Sequence, residues 1–303
     1  MIQIRQRAGE GVKRAAQRLL RRRSAPGAPA ARGPLWDARF FGLDRVACFR
    51  AANASQRREV LERCADALLN ESWFIEQSGI TYCARMTLAA QSPEEQRLYA
   101  MIGGDEAAHA LWLSPWIRVD KARQDPFNVF ISSLSQGGAQ QPLAYLLQVV
   151  LEGYGITHYR ALAQHCRDDA LTATFTRMAR DEALHHGSGL ALFDAPRLTA
   201  ADMCYVFDSI NVFLNMLRNG PQAVVAALDC VIGLPREAAA QQVFDELHAP
   251  TASARKLAQL RRLMEQPGMQ TLVDAAARGG LFEPCSAAQC AQIYVASRRR
   301  AAT

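Results

Sequence analysis

The stretch "RMARDEALHHGSG", residues 177–189, decides how this chain is read. It sets Asp181, Glu182 and His185 in one helical run, and "AMIGGDEAAHALW" at 100–112 repeats the pattern with Asp105, Glu106 and His109. No other Glu-x-x-His tetrapeptide occurs in the sequence. On an α-helix, positions i and i+3 share a face, so the Glu and His of each copy can reach a common point.

A second pair of segments keeps the same register. "EQSGITY" begins at Glu76 and "EGYGITH" at Glu152, an offset of 76 residues, which is also the offset between the two Glu-x-x-His motifs. Two motifs repeated in one register imply a duplicated helical hairpin. Apolar spacing of three and four residues predicts helices over 51–88, 93–115, 142–165 and 169–192, and no alternating strand pattern appears. Ser92-Pro93-Glu94-Glu95 reads as an N-cap, a first-turn proline and a capping-box acid. Pro142 opens the third helix, and Asp168 or Asp169 caps the fourth. The segment 116–141 is long enough to cross the bundle. Further helices reach to about residue 296, broken near Gly220-Pro221, Pro250 and Gly279-Gly280.

The expected fold is therefore all-α. A four-helix bundle occupies 36–196, residues 197–303 form a C-terminal helical elaboration, and 1–35 form a tail and linker. That tail carries nine Arg or Lys against the single acid Glu10, while the remaining residues hold 26 basic and 28 acidic groups. The net charge of +6 thus belongs to the tail, read as a solvated extension. No apolar run of transmembrane length and no signal segment is present, and no nucleic-acid motif appears. The eight cysteines form no Cys-x-x-Cys pair, which favours a reduced, cytoplasmic protein over a disulfide scaffold.

Register and facing then bring the acids together. Glu76 to Glu106 spans 30 residues and Glu152 to Glu182 spans 30 again, with midpoints at the two predicted turns. Each Glu lies about 22 Å from its turn at ~1.5 Å per residue, so each hairpin sets a Glu level with a Glu-x-x-His. At about 100° per residue, Leu69, Trp73, Ile80 and Cys83 flank Glu76, and Tyr145, Val149, Ile156 and Tyr159 flank Glu152. Four carboxylates in one apolar core require compensation. Two divalent metals supply it, each taking one imidazole from His109 or His185, in a ligand set suited to iron or manganese.

On these residues, 51–192 of the chain resembles the ferritin-like di-iron carboxylate superfamily. That group includes rubrerythrins, acyl-carrier-protein desaturases, aldehyde-deformylating oxygenases and arylamine N-oxygenases. The resemblance implies that Glu76, Glu106 and His109 bind one side of a cluster of two Fe ions. Glu152, Glu182 and His185 would bind the other, with Glu106 and Glu182 bridging, and a manganese–iron pair is the alternative. It also implies that Asp105 and Asp181 each hold the other repeat's histidine. The catalytic residues are expected to be these same six ligands.

Around them, Gly79 and Gly155, one turn past the Glu on the first and third helices, either leave room beside the metals or allow close packing. Tyr99 and Tyr159 share the site faces, and His186 lies at the edge of the fourth helix's face as the nearest extra histidine. Leu113 stands where radical-storing ribonucleotide reductase subunits carry Tyr, which argues against that role. The chain lacks a rubredoxin-like Cys-x-x-Cys pair and continues far past the fourth helix, unlike a storage ferritin.

The expected activity is O2-dependent oxidation of a small or lipid-like organic substrate, by hydroxylation, N-oxygenation, desaturation or cleavage. O2 would be the co-substrate, and a separate ferredoxin or reductase would donate the electrons. A ferroxidase or peroxide-detoxifying protein and a non-catalytic helical scaffold are the alternatives, and a homodimer is compatible with the sequence.

Overall fold

In a computed structural model of the protein, residues 33–117 and 125–302, together with Gly27, are described. Apart from Gly27 and residues 33–35, the basic tail read from 1–35 lies outside them, as does 118–124 of the expected crossover. The described residues are helical almost throughout and contain no strand. None of their helices is long and apolar enough to cross a membrane.

After the short α1 (Ala47–Ala51), the first hairpin is α2 (Ala54–Ala89) and α3 (Pro93–Leu113). Asn53 starts α2 with a capping box, accepting from Gln56 N at 2.9 Å while its own N–H donates to Gln56 Oε1 at 3.1 Å. The helix therefore begins three residues later than the periodicity predicts. Ser92 caps α3 by accepting from Glu95 N at 3.1 Å, with Pro93 in the first turn. The reciprocal half of the expected box is shifted, because Glu95 Oε2 accepts from Gln91 N at 2.8 Å, one residue before the cap.

The second hairpin starts at α5 (Gln140–Leu143), two residues before Pro142, and winds through a π-helical stretch, Ala144–Glu152, into α6 (Gly153–His165). It returns as α7 (Asp169–Leu192), capped by the buried Asp168, which accepts from Leu171 N at 2.9 Å. The π stretch overturns one expected facing. Its wider i→i+5 turns rotate the residues upstream of Glu152, so Tyr145 leaves the site face and donates instead to Met264 O at 2.9 Å.

Inside the segment read as a crossover lies an unpredicted helix, α4 (Pro126–Gln136), capped by Asp125. It packs on α2, where Arg85 clamps its C-terminal end by donating to the carbonyls of Ser135, Gly137 and Gly138 at 3.0, 2.7 and 2.9 Å. A cation on the free carbonyls of a helix C-terminus satisfies them and complements the dipole.

Beyond the hairpins run α8 (Ala200–Arg218), α9 (Gln222–Val231), α10 (Glu237–Glu246), α11 (Ala249–Met264), α12 (Gln270–Arg278) and α13 (Ala287–Ala302). Thr199 opens α8 through a capping box with Asp202. α8 and α11 lie against the π stretch, whereas α9, α10 and α13 share an apolar cluster with Leu43, Val46, Phe49 and the start of α2. The chain is docked from Leu35, one residue inside the segment read as tail: its carbonyl accepts from Arg167 N at 2.8 Å.

Next to it, Trp36 is fully buried, donates Nε1–H to Leu162 O at 3.0 Å and lies 6.1 Å from the Phe175 ring. This indole pins the N-terminal segment across α6 and α7. Trp36→Ala is expected to lower unfolding stability by about 3–5 kcal/mol through the cavity and the orphaned carbonyl, as read by denaturant titration.

Candidate metal centre

Each predicted ligand reaches the centre from a different place along the two hairpins. α2 brings Glu76, α3 brings Glu106 and His109, the end of the π stretch brings Glu152, and α7 brings Glu182 and His185. Their ligand atoms form two groups, each with all atoms within 4.8 Å of one another: Glu76, Glu106, His109 and Glu182, then Glu106, Glu152, Glu182 and His185. Glu106 and Glu182 belong to both. Glu76 and His109 are fully buried, Glu106, Glu182 and His185 nearly so, and Glu152 is the most accessible of the six.

The imidazoles are oriented across the repeats. His109 sits with Nδ1 2.8 Å from Glu76 Oε2 and Nε2 3.1 Å from Asp181 Oδ2. His185 has Nε2 3.5 Å from Asp105 Oδ2 and Nδ1 3.1 Å from Glu106 Oε1. Each histidine thus turns one nitrogen toward the carboxylate cluster and the other toward an aspartate of the opposite repeat. A carboxylate behind an imidazole fixes its tautomer and raises its basicity as a ligand.

Protonation shows how poorly the cluster tolerates bare charge. Burial, reinforced by Glu76, lifts Glu106 from 4.5 to about 7, and burial with the neighbouring acids drives Glu182 well above the carboxylate range. Burial does the same to Glu152, although His185 opposes it. Burial disfavours the charged form of His185, yet Asp105 and the site carboxylates outweigh it and raise the group to about 12. His109 is raised in the same way by Glu76 and Asp181 against its own burial.

Among the remaining predicted site residues, Tyr159 donates its hydroxyl to Glu76 Oε1. Tyr99 stops short of the carboxylates and donates to Gln148 Oε1 at 3.3 Å. His186 belongs to neither group of convergent ligands, and its Nδ1 lies 3.1 Å from the Gln148 carbonyl oxygen. The two glycines differ. A Cβ on Gly79 would lie 2.3 Å from Glu106 Oε2, whereas one on Gly155 would meet nothing within 4 Å. Gly79 therefore serves close packing of a carboxylate, and Gly155 faces open space.

Sequence reasoning missed Gln148. Its side chain is fully buried, accepts from Tyr82 at 2.9 Å and donates to Ser188 Oγ at 3.2 Å, tying α2, α3 and α7 to the π stretch. The signal was available as one amide inside the apolar run "LAYLLQVVLEG".

No protein-family model matches the chain, nor does any curated protein or solved structure. Fold and site alone define the class: an all-α protein with a buried carboxylate–histidine cluster able to hold metal.

Two outcomes follow from this geometry. Gly79→Ala should displace Glu106 and weaken metal uptake by roughly tenfold or more, whereas Gly155→Ala should leave it intact, as measured by metal analysis after dialysis. The metal-free protein should lose stability as pH rises. Glu106 contributes stability below about 4.5 that is lost as pH climbs toward about 7, and His185 contributes stability below 6.5 that is lost toward about 12. Cations bind the deprotonated ligands, so the gap in Tm between metal-loaded and chelator-treated protein should widen from pH 6 to pH 8. A pH-independent gap would contradict this account.

Proposed function

We propose that the protein is a non-haem di-iron oxidoreductase of the ferritin-like type that uses O2 to oxidise a small or lipid-like organic molecule. The observation that carries this reading is the pair of ligand groups sharing Glu106 and Glu182. Two such groups with two common carboxylates are the donor set for two adjacent cations. The residues fit that occupancy: Glu152 Oε2 is buried without a hydrogen-bond partner, as an atom reserved for a ligand would be, and His185 turns Nδ1 toward the carboxylates, 3.1 Å from Glu106 Oε1. Four carboxylates and two neutral imidazoles also balance two divalent ions, removing the cost of the buried acids.

Bound iron supplies the electrons and the Lewis acidity for reaction with O2. The chain's own residues do the rest. Glu76, Glu152, Glu106 and Glu182 hold the cations, and His109 and His185 complete each position with nitrogen. Asp181 and Asp105 keep the imidazole protons on the outer nitrogens. Tyr159 orients Glu76, and the apolar bundle excludes water from the reaction volume.

An organic substrate is supported by what surrounds α6. Tyr154, next to Gly155, lies 6.3 Å edge-on from Phe213 of α8, whose ring stacks on Phe130 of α4 at 5.9 Å. Elements outside the four main helices therefore pack aromatic rings against α6 one residue from Gly155, surroundings that suit an apolar molecule better than a bare ion. No flavin or iron–sulfur motif is visible in the sequence, so a ferredoxin or a reductase is assigned as electron donor.

The test is metal content with Glu106→Ala alongside, followed by O2 consumption with a reductase and candidate organic substrates. The expected result is about two irons per chain in the wild type and loss of both in the variant, since Glu106 serves both positions. Protein that stays metal-free after anaerobic reconstitution with ferrous iron would sink the assignment.

A further inference from the structure

The internal repeat makes the two halves of the centre directly comparable, and they differ. Tyr159 stands 76 residues from Cys83, so Cys83 and Tyr159 occupy matching places about two turns beyond Glu76 and Glu152 respectively. In one half, Tyr159 donates to Glu76 Oε1 while Glu76 Oε2 faces His109 Nδ1 at 2.8 Å. Both oxygens of that carboxylate are held. In the other half, the buried Oε2 of Glu152 has no hydrogen-bond partner, and the matching position offers only the shorter, weakly donating thiol of Cys83.

Three further contrasts run in the same direction. The outer aspartate contact is 3.1 Å for His109 but 3.5 Å for His185. Glu76 is fully buried within a continuous α-helix, whereas Glu152 ends a π-helical stretch and retains partial exposure. Finally, a Cβ at Gly79 would strike Glu106, whereas one at the matching Gly155 meets nothing. One half is contacted at both carboxylate oxygens and enclosed, and the other keeps an unpartnered carboxylate oxygen and partial exposure.

We propose that the two metal positions are unequal, that the Glu76–His109 position fills first and more tightly, and that Tyr159 is the positioning residue responsible. The Glu152–His185 position fills second and is the one beside the open space at Gly155. This rests on the di-metal reading above and goes beyond it by assigning an order and a cause. A carboxylate already locked in one rotamer loses less freedom when a cation arrives, so pre-orientation shows as affinity. Loss of a hydrogen bond behind a metal ligand changes affinity by roughly 10–100-fold.

Anaerobic calorimetric titration of the full chain with Fe(II) reads this without any turnover. The wild type should show two steps separated by about tenfold or more, for one ion each. Tyr159→Phe, which keeps the ring stacked on Phe175 at 5.7 Å, should weaken the tight step roughly 10–100-fold and leave the weak one in place. Glu152→Gln should retain one tightly bound ion, and Glu76→Gln should lose the tight step. Two equal steps in the wild type, an unmoved tight step in Tyr159→Phe, or a tight step abolished by Glu152→Gln would each overturn the inequality while leaving the di-metal reading intact. Absence of any bound ion in the wild type would overturn both.

Discussion

Four carboxylates closed inside an apolar bundle cannot all stay ionised unless positive charge stands among them, and much of this molecule is arranged around that constraint. Without metal, the balance is met by protons: the imidazoles of His109 and His185 are held cationic, and Glu106, Glu152 and Glu182 are pushed toward their neutral forms. The same atoms, stripped of those protons, are arranged as a cluster able to hold metal. Buried acids in such numbers are hard to justify as stabilising elements, since a well-packed apolar replacement is often as stable or more so. Their presence points to binding.

The remaining architecture reads as support for that cluster. Equal arm lengths on either side of the Ser92-Pro93 and Asp168-Asp169 breaks set the ligands level, and the aspartates reach across from one repeat to the other's histidine. Gln148 ties three helices together just behind Glu152, and Trp36 pins the N-terminal segment over the same hairpin. The 76-residue internal repeat gives two similar halves. The substitution of Tyr159 for Cys83 at matching places, and of π winding for α winding upstream of Glu152, made them different. Of the additional helices, α8 and α11 lie against the π stretch, whereas α4 packs on α2 and meets α8 through the Phe130–Phe213 stack.

Local rules carried the sequence reading where the determinants were local. Pro93 with Ser92, and Asp168, mark real helix starts because a side-chain oxygen three residues from a free N–H is a short-range geometry. The six convergent residues were legible because helix period and equal spacing together fix height and facing. Where the reading failed, a longer-range influence acted. α4 has few residues and a short apolar face, and it is held by α2 and by Arg85 reaching its end carbonyls. Tyr145 was misplaced because a π turn is not signalled by composition, yet it rotates everything upstream of it.

By itself, then, the sequence determined an all-helical chain, a duplicated hairpin and the meeting of Glu76, Glu106, His109, Glu152, Glu182 and His185, since periodicity and chain length leave little else for those spacings to mean. Only the tertiary structure decided which neighbours complete the centre. Tyr159 reaches Glu76 while Tyr99 turns to Gln148, His186 faces a backbone carbonyl, and Gly79 and Gly155 meet opposite fates. These outcomes depend on distances of a few tenths of an ångström between helices far apart in the chain. Side-chain packing sets such distances, and no local pattern encodes them.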